Sequence, residues 1–370
     1  MQSSKRILVA PLNWGLGHAT RCIPIIHALL DHGHQPYLAS DGVALSLLQK
    51  EFPDLPSFEL PSYRIKYAEK GRNFKLKMIW DSPKVVKAMS KEKKSIKKLV
   101  KEHHIDGIIS DNRLGVSYKK IPCVFITHQL NVLSGNTTWM SSKAHQKIIK
   151  KFDVCWVPDV KDKPNLTGKL GHLKKPKMHV EYIGPLSRFE KMDTELSYDL
   201  MVLLSGPEPQ RTLLEEKLLK ELQLFEGKIL FVKGKIEASQ TKEEIKTKKG
   251  SMTLFNFMQS KELETALNQS SKVLCRSGYT TVMDLAKMEK KAFFIPTPGQ
   301  YEQEYLARRL QKQKLVPYSS QNDFSLDDIT RIESYKGLSQ FETAIDYAGL
   351  FAAFSKVNEN SEPTPSSLST

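Results

Sequence analysis

The sequence predicts two α/β domains, each a doubly wound sheet of mostly parallel strands, facing each other across a cleft. Three observations predict this. Short apolar runs alternate with stretches of helical periodicity from Lys5 onward. The alternation pauses at Tyr182-Ile183-Gly184-Pro185-Leu186, where Gly-Pro reads as a hinge, and restarts at Leu200–Leu204. At 370 residues the chain has the length of two ordinary domains.

In chain order, Lys5–Pro11 reads as a strand through Ile7, Leu8 and Val9. The loop Leu12–Gly17 leads into a helix carrying Ile23, Ile25, Ile26, Leu29 and Leu30, capped by Gly33. Tyr37–Ser40 begins the next strand. Further strands are expected at Gly107–Asp111, Cys123–His128 and Val154–Pro158. After the hinge come Leu200–Leu204, a helix through Leu213, Leu214, Leu218 and Leu222, and a strand at Lys228–Val232. Val273-Leu274-Cys275 is an apolar run followed by a turn at Gly278 and a helix with Val282, Leu285 and Ala286. Ala292–Ile295 is another, stopped by Pro296 and Pro298 before a helix near Glu302. A last helix is expected over Gln340–Ser355. The expected domains are residues 1–184 and 185–338, with a C-terminal helix within 339–355 returning to the first domain. The Ser/Pro/Thr-rich tail, 356–370, is expected to be disordered.

No run of about 18 apolar residues occurs, so no bilayer-spanning helix is expected. The N-terminus, MQSSKRILVAP, lacks the apolar stretch of a secretory signal. Cys22, Cys123, Cys155 and Cys275 are scattered with no CxxC pair. They read as reduced thiols of a cytoplasmic protein, neither a disulfide frame nor a metal site. The net charge of +15 is uneven: residues 1–185 hold 31 Lys+Arg against 15 Asp+Glu, and residues 186–370 hold 25 against 26. The excess concentrates in Phe74–Lys101, where Phe74, Leu76, Met78, Ile79 and Trp80 mix with Lys75 and Lys77 before a lysine-rich helix. Apolar anchors beside lysines suit an anionic membrane surface, which would place the protein peripherally on the inner face of the cell membrane. A solvated charged helix is the plain alternative. No nucleic-acid motif accompanies the charge, so nucleic acid is not expected as a partner.

Strand–helix alternation gathers loops at one sheet edge, where ligands bind. The C-terminal block places Arg276, Ser277, Gly278, Thr280, Asp284, Gln300, Gln303 and Glu304 at that edge. Amides and carboxylates suit hydroxyls, and a cation with a helix N-terminus suits diphosphate, so a nucleotide sugar is the expected ligand. Ser205 and Gly206, where the second domain's first strand meets its first helix, are placed to offer N–H groups to a phosphate. Glu208 beside them is a poor neighbour for an anion and equally a helix-capping residue. In the first domain, Gly15 and Gly17 free the backbone for close approach to a ligand. His18 sits at a helix N-terminus, which disfavours imidazolium, so it should be neutral and able to accept a proton. A capping histidine beside a structural turn is the alternative. His128, Gln129 and Asn131 end an apolar strand, and several of them should face the cleft. Asp111-Asn112-Arg113 ends the preceding strand and is placed to orient His128 or bind acceptor.

With these residues in view, the chain resembles a GT-B glycosyltransferase, with two Rossmann-like domains. It is most similar to glycosyltransferase family 28, the family of the lipid II-forming UDP-N-acetylglucosamine transferase. The family's donor segment R-S-G-A-x-T-V-x-E resembles Arg276-Ser277-Gly278-Tyr279-Thr280-Thr281-Val282-Met283-Asp284. Its Q-Q pair resembles Gln303-Glu304, its G-G-x-G-G-H loop Asn13–His18, and its H-E-Q-N His128-Gln129-Leu130-Asn131. Three family glycines are missing from the first loop, Gln129 stands for a Glu, and Glu304 for an amide. These departures leave the nucleotide-sugar class standing and argue for an acceptor other than peptidoglycan.

The resemblance implies inverting transfer of a sugar, an N-acetylhexosamine, from a UDP-linked donor to a glycan or lipid-linked acceptor of the cell envelope. His18 would be the general base, aided by His128 or Asp111. Ser205, Gly206 and the C-terminal block would hold the donor, with Asp284 on the ribose and Gln303-Glu304 on the sugar. Asn13, Gly15, Gly17, Gln129 and Asn131 would line the acceptor side. No metal and no cofactor beyond the nucleotide-sugar co-substrate are implied, and the chain contains no D-x-D. A nucleotide-sugar 2-epimerase of the same architecture, working without acceptor, is one alternative. A non-catalytic sugar-nucleotide-binding protein is the other.

Overall fold

A parallel sheet covered on both faces needs strands that are apolar at nearly every position. The sequence RILVAP meets that need: Ile7 to Pro11 are all buried in β1 (Arg6–Pro11). The computed structural model describes residues 4–63, 83–133, 138–235, 237–341 and 344–355. In the first domain β1 is joined by β2 (Gln35–Ser40), β3 (Ser57–Glu59), β4 (Gly107–Asp111), β5 (Cys123–Ile126), β6 (Val154–Val157) and β7 (Val180–Tyr182). Their order is β3-β2-β1-β4-β5-β6-β7, and every pairing is parallel. Alternate residues serve opposite layers. Ile7, Val9, Ile109 and Val124 face α1 (Gly17–Asp31) and α2 (Gly42–Glu51). Leu8, Ala10, Ile108 and Phe125 face α3 (Pro83–Glu102) and α4 (Thr138–Ile149).

The second sheet repeats the plan. It holds β8 (Leu200–Leu203), β9 (Gly227–Val232), β10 (Lys242–Lys246), β11 (Gly250–Phe255), β12 (Lys272–Cys275) and β13 (Lys291–Phe294) in the order β10-β11-β9-β8-β12-β13. Only β10 runs antiparallel, against β11. This hairpin is absent from the sequence-based expectation because KEEIK has a single apolar residue and lies at an exposed edge. The helices are α5 (Gln210–Glu221), α6 (Ser260–Asn268), α7 (Tyr279–Lys287) and α8 (Tyr301–Lys312). In both sheets the strand order reverses beside the first strand, between β1 and β4 and between β8 and β12. The loops leaving these strands therefore part and open a crevice. His18 and Asp111 belong to one crevice, Ser205 and Arg276 to the other.

The C-terminal segment differs from the expected continuous helix. Among its described residues only α9 (Tyr347–Phe351) is α-helical, followed by a 3-10 turn to Phe354, with Asp346 capping its start by accepting from Gly349 N. Phe351 and Phe354 pack into the first domain's core. The Phe351 ring meets His32 and His34 edge-on at 5.4 and 5.6 Å. Phe354 lies so close to Gly107 that a Cβ there would come within 2.3 Å of its ring. The apolar residues 74–80 of the basic segment and the tail 356–370 lie outside the described residues. Among the described residues no helix is long and apolar enough to cross a membrane. All four cysteines are free and buried.

Candidate active site

The first crevice holds a buried polar cluster whose members come from both domains. His18, in the first turn of α1, has Nδ1 2.9 Å from Asp111 Oδ1 at the end of β4. Arg21, one turn further along α1, places its guanidinium across both Asp111 oxygens. Its Nη1 reaches His128 Nδ1 at 3.0 Å, and its Nη2 lies 2.7 Å from His18 Nδ1. His128 turns its Nε2 to Glu302 Oε2 of α8 at 3.3 Å, across the cleft, and Gln129 donates to the same oxygen. Tyr279, at the start of α7, stacks on the His128 ring at 3.8 Å and 14° and donates its hydroxyl to Pro158 O of the first domain.

Burial dominates the electrostatics. It pushes the His18 imidazole below its ordinary value, against the pull of Asp111, with Arg21 and His128 adding to the depression. Burial alone would raise the Asp111 carboxyl, but the Arg21 guanidinium and His18 outweigh it and hold the group at about 2. Glu302 is likewise kept low, burial being overcome chiefly by His128. Asp111 is therefore a carboxylate and His18 a neutral base at physiological pH.

The N-termini of α1, α7 and α8, like those of α2 and α6, lack a side-chain cap. The first two nearly touch: a Cβ on Gly17 would lie 2.8 Å from Thr280 Oγ1. Uncapped N–H groups and the positive ends of two helix dipoles thus converge on one point between the domains, a favourable place for an anion.

Several expected site residues sit elsewhere. Arg276 is buried within the second domain, donating to Ile295 O, Pro296 O, Gln210 O and Gln321 Oε1 at 2.8–3.2 Å. Burial lowers its pKa to about 10. It ties loop carbonyls together and is not aimed at a leaving diphosphate. The N-terminus of α5, expected to cradle phosphate with Ser205 and Gly206, is capped by Glu208, which accepts from Thr212 N at 3.2 Å and pairs with Arg211. Ser205 and Gly206 themselves are exposed. Glu304 turns back to accept from Gly299 N at 3.0 Å, so Glu302, two positions earlier, is the carboxylate in the cleft. Gln303 is spent on Thr297 N and Gln300, and Ser277 donates to the Gln303 carbonyl. Asn13 donates to Asp41 and Asn131 to Lys169 O, both within the first domain. Gly15 lies in the α1 approach loop in a left-handed conformation, with open space around it. Arg113, rather than orienting His128, joins Asp41 and Glu92 at 2.6 Å each in a separate buried network.

Arg21, Tyr279 and Glu302 are functional candidates that sequence reasoning missed. Arg21 had a legible signal, since a residue three beyond His18 shares its helix face. The partners of Tyr279 and Glu302 lie across the cleft and leave no local trace.

Asp284 sits in α7 facing the interdomain linker, where Ser187 Oγ donates to it at 2.7 Å. Burial raises its carboxyl from 3.8 to about 6, with Ser187 and Arg188 pulling down. The folded chain then binds more protons than the unfolded chain between these values, so this group makes stability fall as pH rises from about 4 to 6. Urea unfolding across that window should show a loss on the order of 2 kcal/mol. Asp284→Asn should remove that slope, and an unchanged slope would contradict the assignment.

Comparison with known proteins agrees with this architecture. Residues 209–335 match the glycosyltransferase family 28 C-terminal domain. An uncharacterized glycosyltransferase of Methanosarcina acetivorans is 23% identical over 359 residues, covering 90% of this chain and 91% of that protein. The crystal structure of MurG from Acinetobacter baumannii superposes with a TM-score of 0.55 at 14% identity, over 90% of this chain and 92% of that one. A UDP-glucosyltransferase from Polygonum tinctorium that glucosylates indoxyl gives 0.61 at 14% identity, over 90% and 89%. The two crevices, the facing sheets and the matched C-terminal domain lead to one conclusion: the chain is a GT-B glycosyltransferase resembling family 28.

Proposed function

We propose that the chain transfers an N-acetylhexosamine from a UDP-linked donor to a glycan or glycolipid acceptor with inversion of configuration. The observation that carries this reading is His18, whose Nδ1 lies against the Asp111 carboxylate. Among the described residues its Nε2 has no hydrogen-bond partner and so retains a lone pair for a proton. The acceptor oxygen attacks the anomeric carbon, its proton passes to His18 Nε2, and the bond to the diphosphate breaks with its electron pair on phosphate. The uncapped N-termini of α1 and α7 face the developing charge there, with no metal or cofactor invoked. Glu302 is placed to accept from sugar hydroxyls, and the open edge of Asp284 from the ribose. Closure by Tyr279 and Glu302 excludes water. Solved neighbours include the UDP-glucosyltransferase above and a spinosyn rhamnosyltransferase held with thymidine diphosphate. The nucleotide is therefore the first thing to test.

A thermal-shift screen of UDP-, GDP-, dTDP- and CMP-sugars should show stabilisation by the UDP class. At ligand concentrations of 100 times Kd the expected gain is about 2.7 kcal/mol. No stabilisation by any of them would sink the proposal. Conversion of the sugar at C2 with no acceptor present would favour the epimerase instead.

An anionic membrane is the partner surface we favour. Lys87, Lys91, Lys94, Lys98 and Lys101 are exposed along α3, Lys143 and Lys147 along α4, and Lys150 just past its end. The two helices bring their charges together: Lys151 has a lowered pKa from burial and from nearby Lys93 and Lys147. Trp139 and Met140 are exposed at the start of α4, with Lys143 3.9 Å over the Trp139 ring. Each lysine near such a surface contributes about 1 kcal/mol. The chain should co-sediment with phosphatidylserine vesicles and be released by salt, while binding that ignores lipid charge would refute this assignment.

A further inference from the structure

We propose that Arg21 is a positioning residue that sorts the two cleft histidines into opposite tautomers, leaving His18 the proton acceptor and His128 a hydrogen-bond donor. The kinetic part of this proposal rests on the transferase reading; the tautomers follow from geometry alone. A guanidinium carries five N–H donors and no acceptor. Arg21 Nη1 lies 3.0 Å from His128 Nδ1, so that nitrogen must present its lone pair. The proton of a neutral His128 then sits on Nε2, 3.3 Å from Glu302 Oε2. Both nitrogens are engaged, and His128 keeps no lone pair for an acceptor hydroxyl.

His18 is arranged the other way. Its Nδ1 faces Asp111 Oδ1 at 2.9 Å and Arg21 Nη2 at 2.7 Å, and one nitrogen cannot serve both. Arg21 Nη2 already donates to Asp111 Oδ1, and a bond to a carboxylate is roughly twice as strong as a neutral one. The proton therefore sits on Nδ1, and Nε2 is left basic. The groups around His18 are Asp111 from β4, Arg21 from its own helix and His128 from the loop after β5, with Glu302 and Tyr279 from the second domain beyond His128. A bare Asp111 would favour the imidazolium of His18. The Arg21 charge opposes this, so the base stays neutral to lower pH.

The test is a long-range 1H–15N spectrum of the full chain labelled with 15N-histidine, near neutral pH. His18→Gln and His128→Gln assign the two signals. The expected result is an Nδ1–H tautomer for His18 and an Nε2–H tautomer for His128. In Arg21→Met the imposed His128 tautomer should be lost. With the donor found by the thermal-shift screen, the acid limb of kcat/KM should move to higher pH than in the wild type, with burial of His18 still holding it down. Its kcat should fall about 10–100-fold, with donor KM within about twofold. Arg21→Lys keeps the charge without the fork, so it should keep the acid limb and lose the His128 tautomer. If the Met variant does not fold, the wild-type spectrum and the Lys variant decide. An Nε2–H tautomer on His18, or an acid limb unmoved in Arg21→Met, overturns the proposal. Failure of every donor in the screen would sink the transferase reading and leave the tautomer measurement standing.

Discussion

His18→Ala should lower kcat by about 10²–10⁴ while leaving nucleotide-sugar stabilisation intact, the size expected for loss of a general base. The separation is built into the site. His18 contributes one hydrogen bond to Asp111, whereas Arg21 spans both Asp111 oxygens, so the buried ion pair survives the substitution. The sequence of α1 after residue 18 keeps its apolar face, and Ala is the best helix former. The pH profile of the wild type should show the same group. Burial lowers the His18 pKa, so the base is neutral above that point and activity falls only as pH drops through a value below the ordinary 6.5. Full activity in His18→Ala, or an acid limb lying above 6.5, would remove His18 from the mechanism.

Asp111→Asn should do more damage to the fold than to any single contact. Asp111 is wholly buried and Arg21 is 2% exposed, so the substitution leaves a guanidinium in the core with no counter-charge. Breaking a buried pair in this way costs about 3–5 kcal/mol. For a domain of this size that is a drop of roughly 10 °C in melting temperature. Adding Arg21→Met to Asp111→Asn removes the stranded charge and should recover much of the stability without restoring activity. This double-mutant comparison separates the pair's structural role from its effect on His18. If Asp111→Asn melts with the wild type, the carboxylate is not the counter-ion that the geometry makes it.

Much of the architecture was legible. β1, β4, β5, β8, β12 and β13 announce themselves as apolar runs because each is buried on both faces. Two edge strands did not: β7 and β10 carry VEY and KEEIK, whose residues face solvent on at least one side and read as loop. In the site, His18, Asp111 and His128 were all named because each ends a strand or opens a helix at the sheet edge. Which of them touch, and through what, was not legible. Glu302 and Glu304 show the limit most clearly. They sit two residues apart on α8, so they point about 200° apart around the helix axis. One reaches His128 across the cleft and the other folds back on Gly299 N.

The amino-acid sequence by itself determined the fold class and the strand–helix order that gathers loops at one edge of each sheet, because periodicity and strand–helix alternation are local properties. The tertiary structure alone decided which charges are structural and which are chemical. Arg276 was expected to meet a diphosphate, and instead its Nη1 and Nη2 are bonded to Gln210, Ile295, Pro296 and Gln321. Arg21 was overlooked, and it joins Asp111, 90 residues away, to His128, 107 residues away. A buried cation must find acceptors wherever the fold supplies them. Those acceptors come from segments distant in the chain, and only their packing together shows whether the cation is free to meet a ligand.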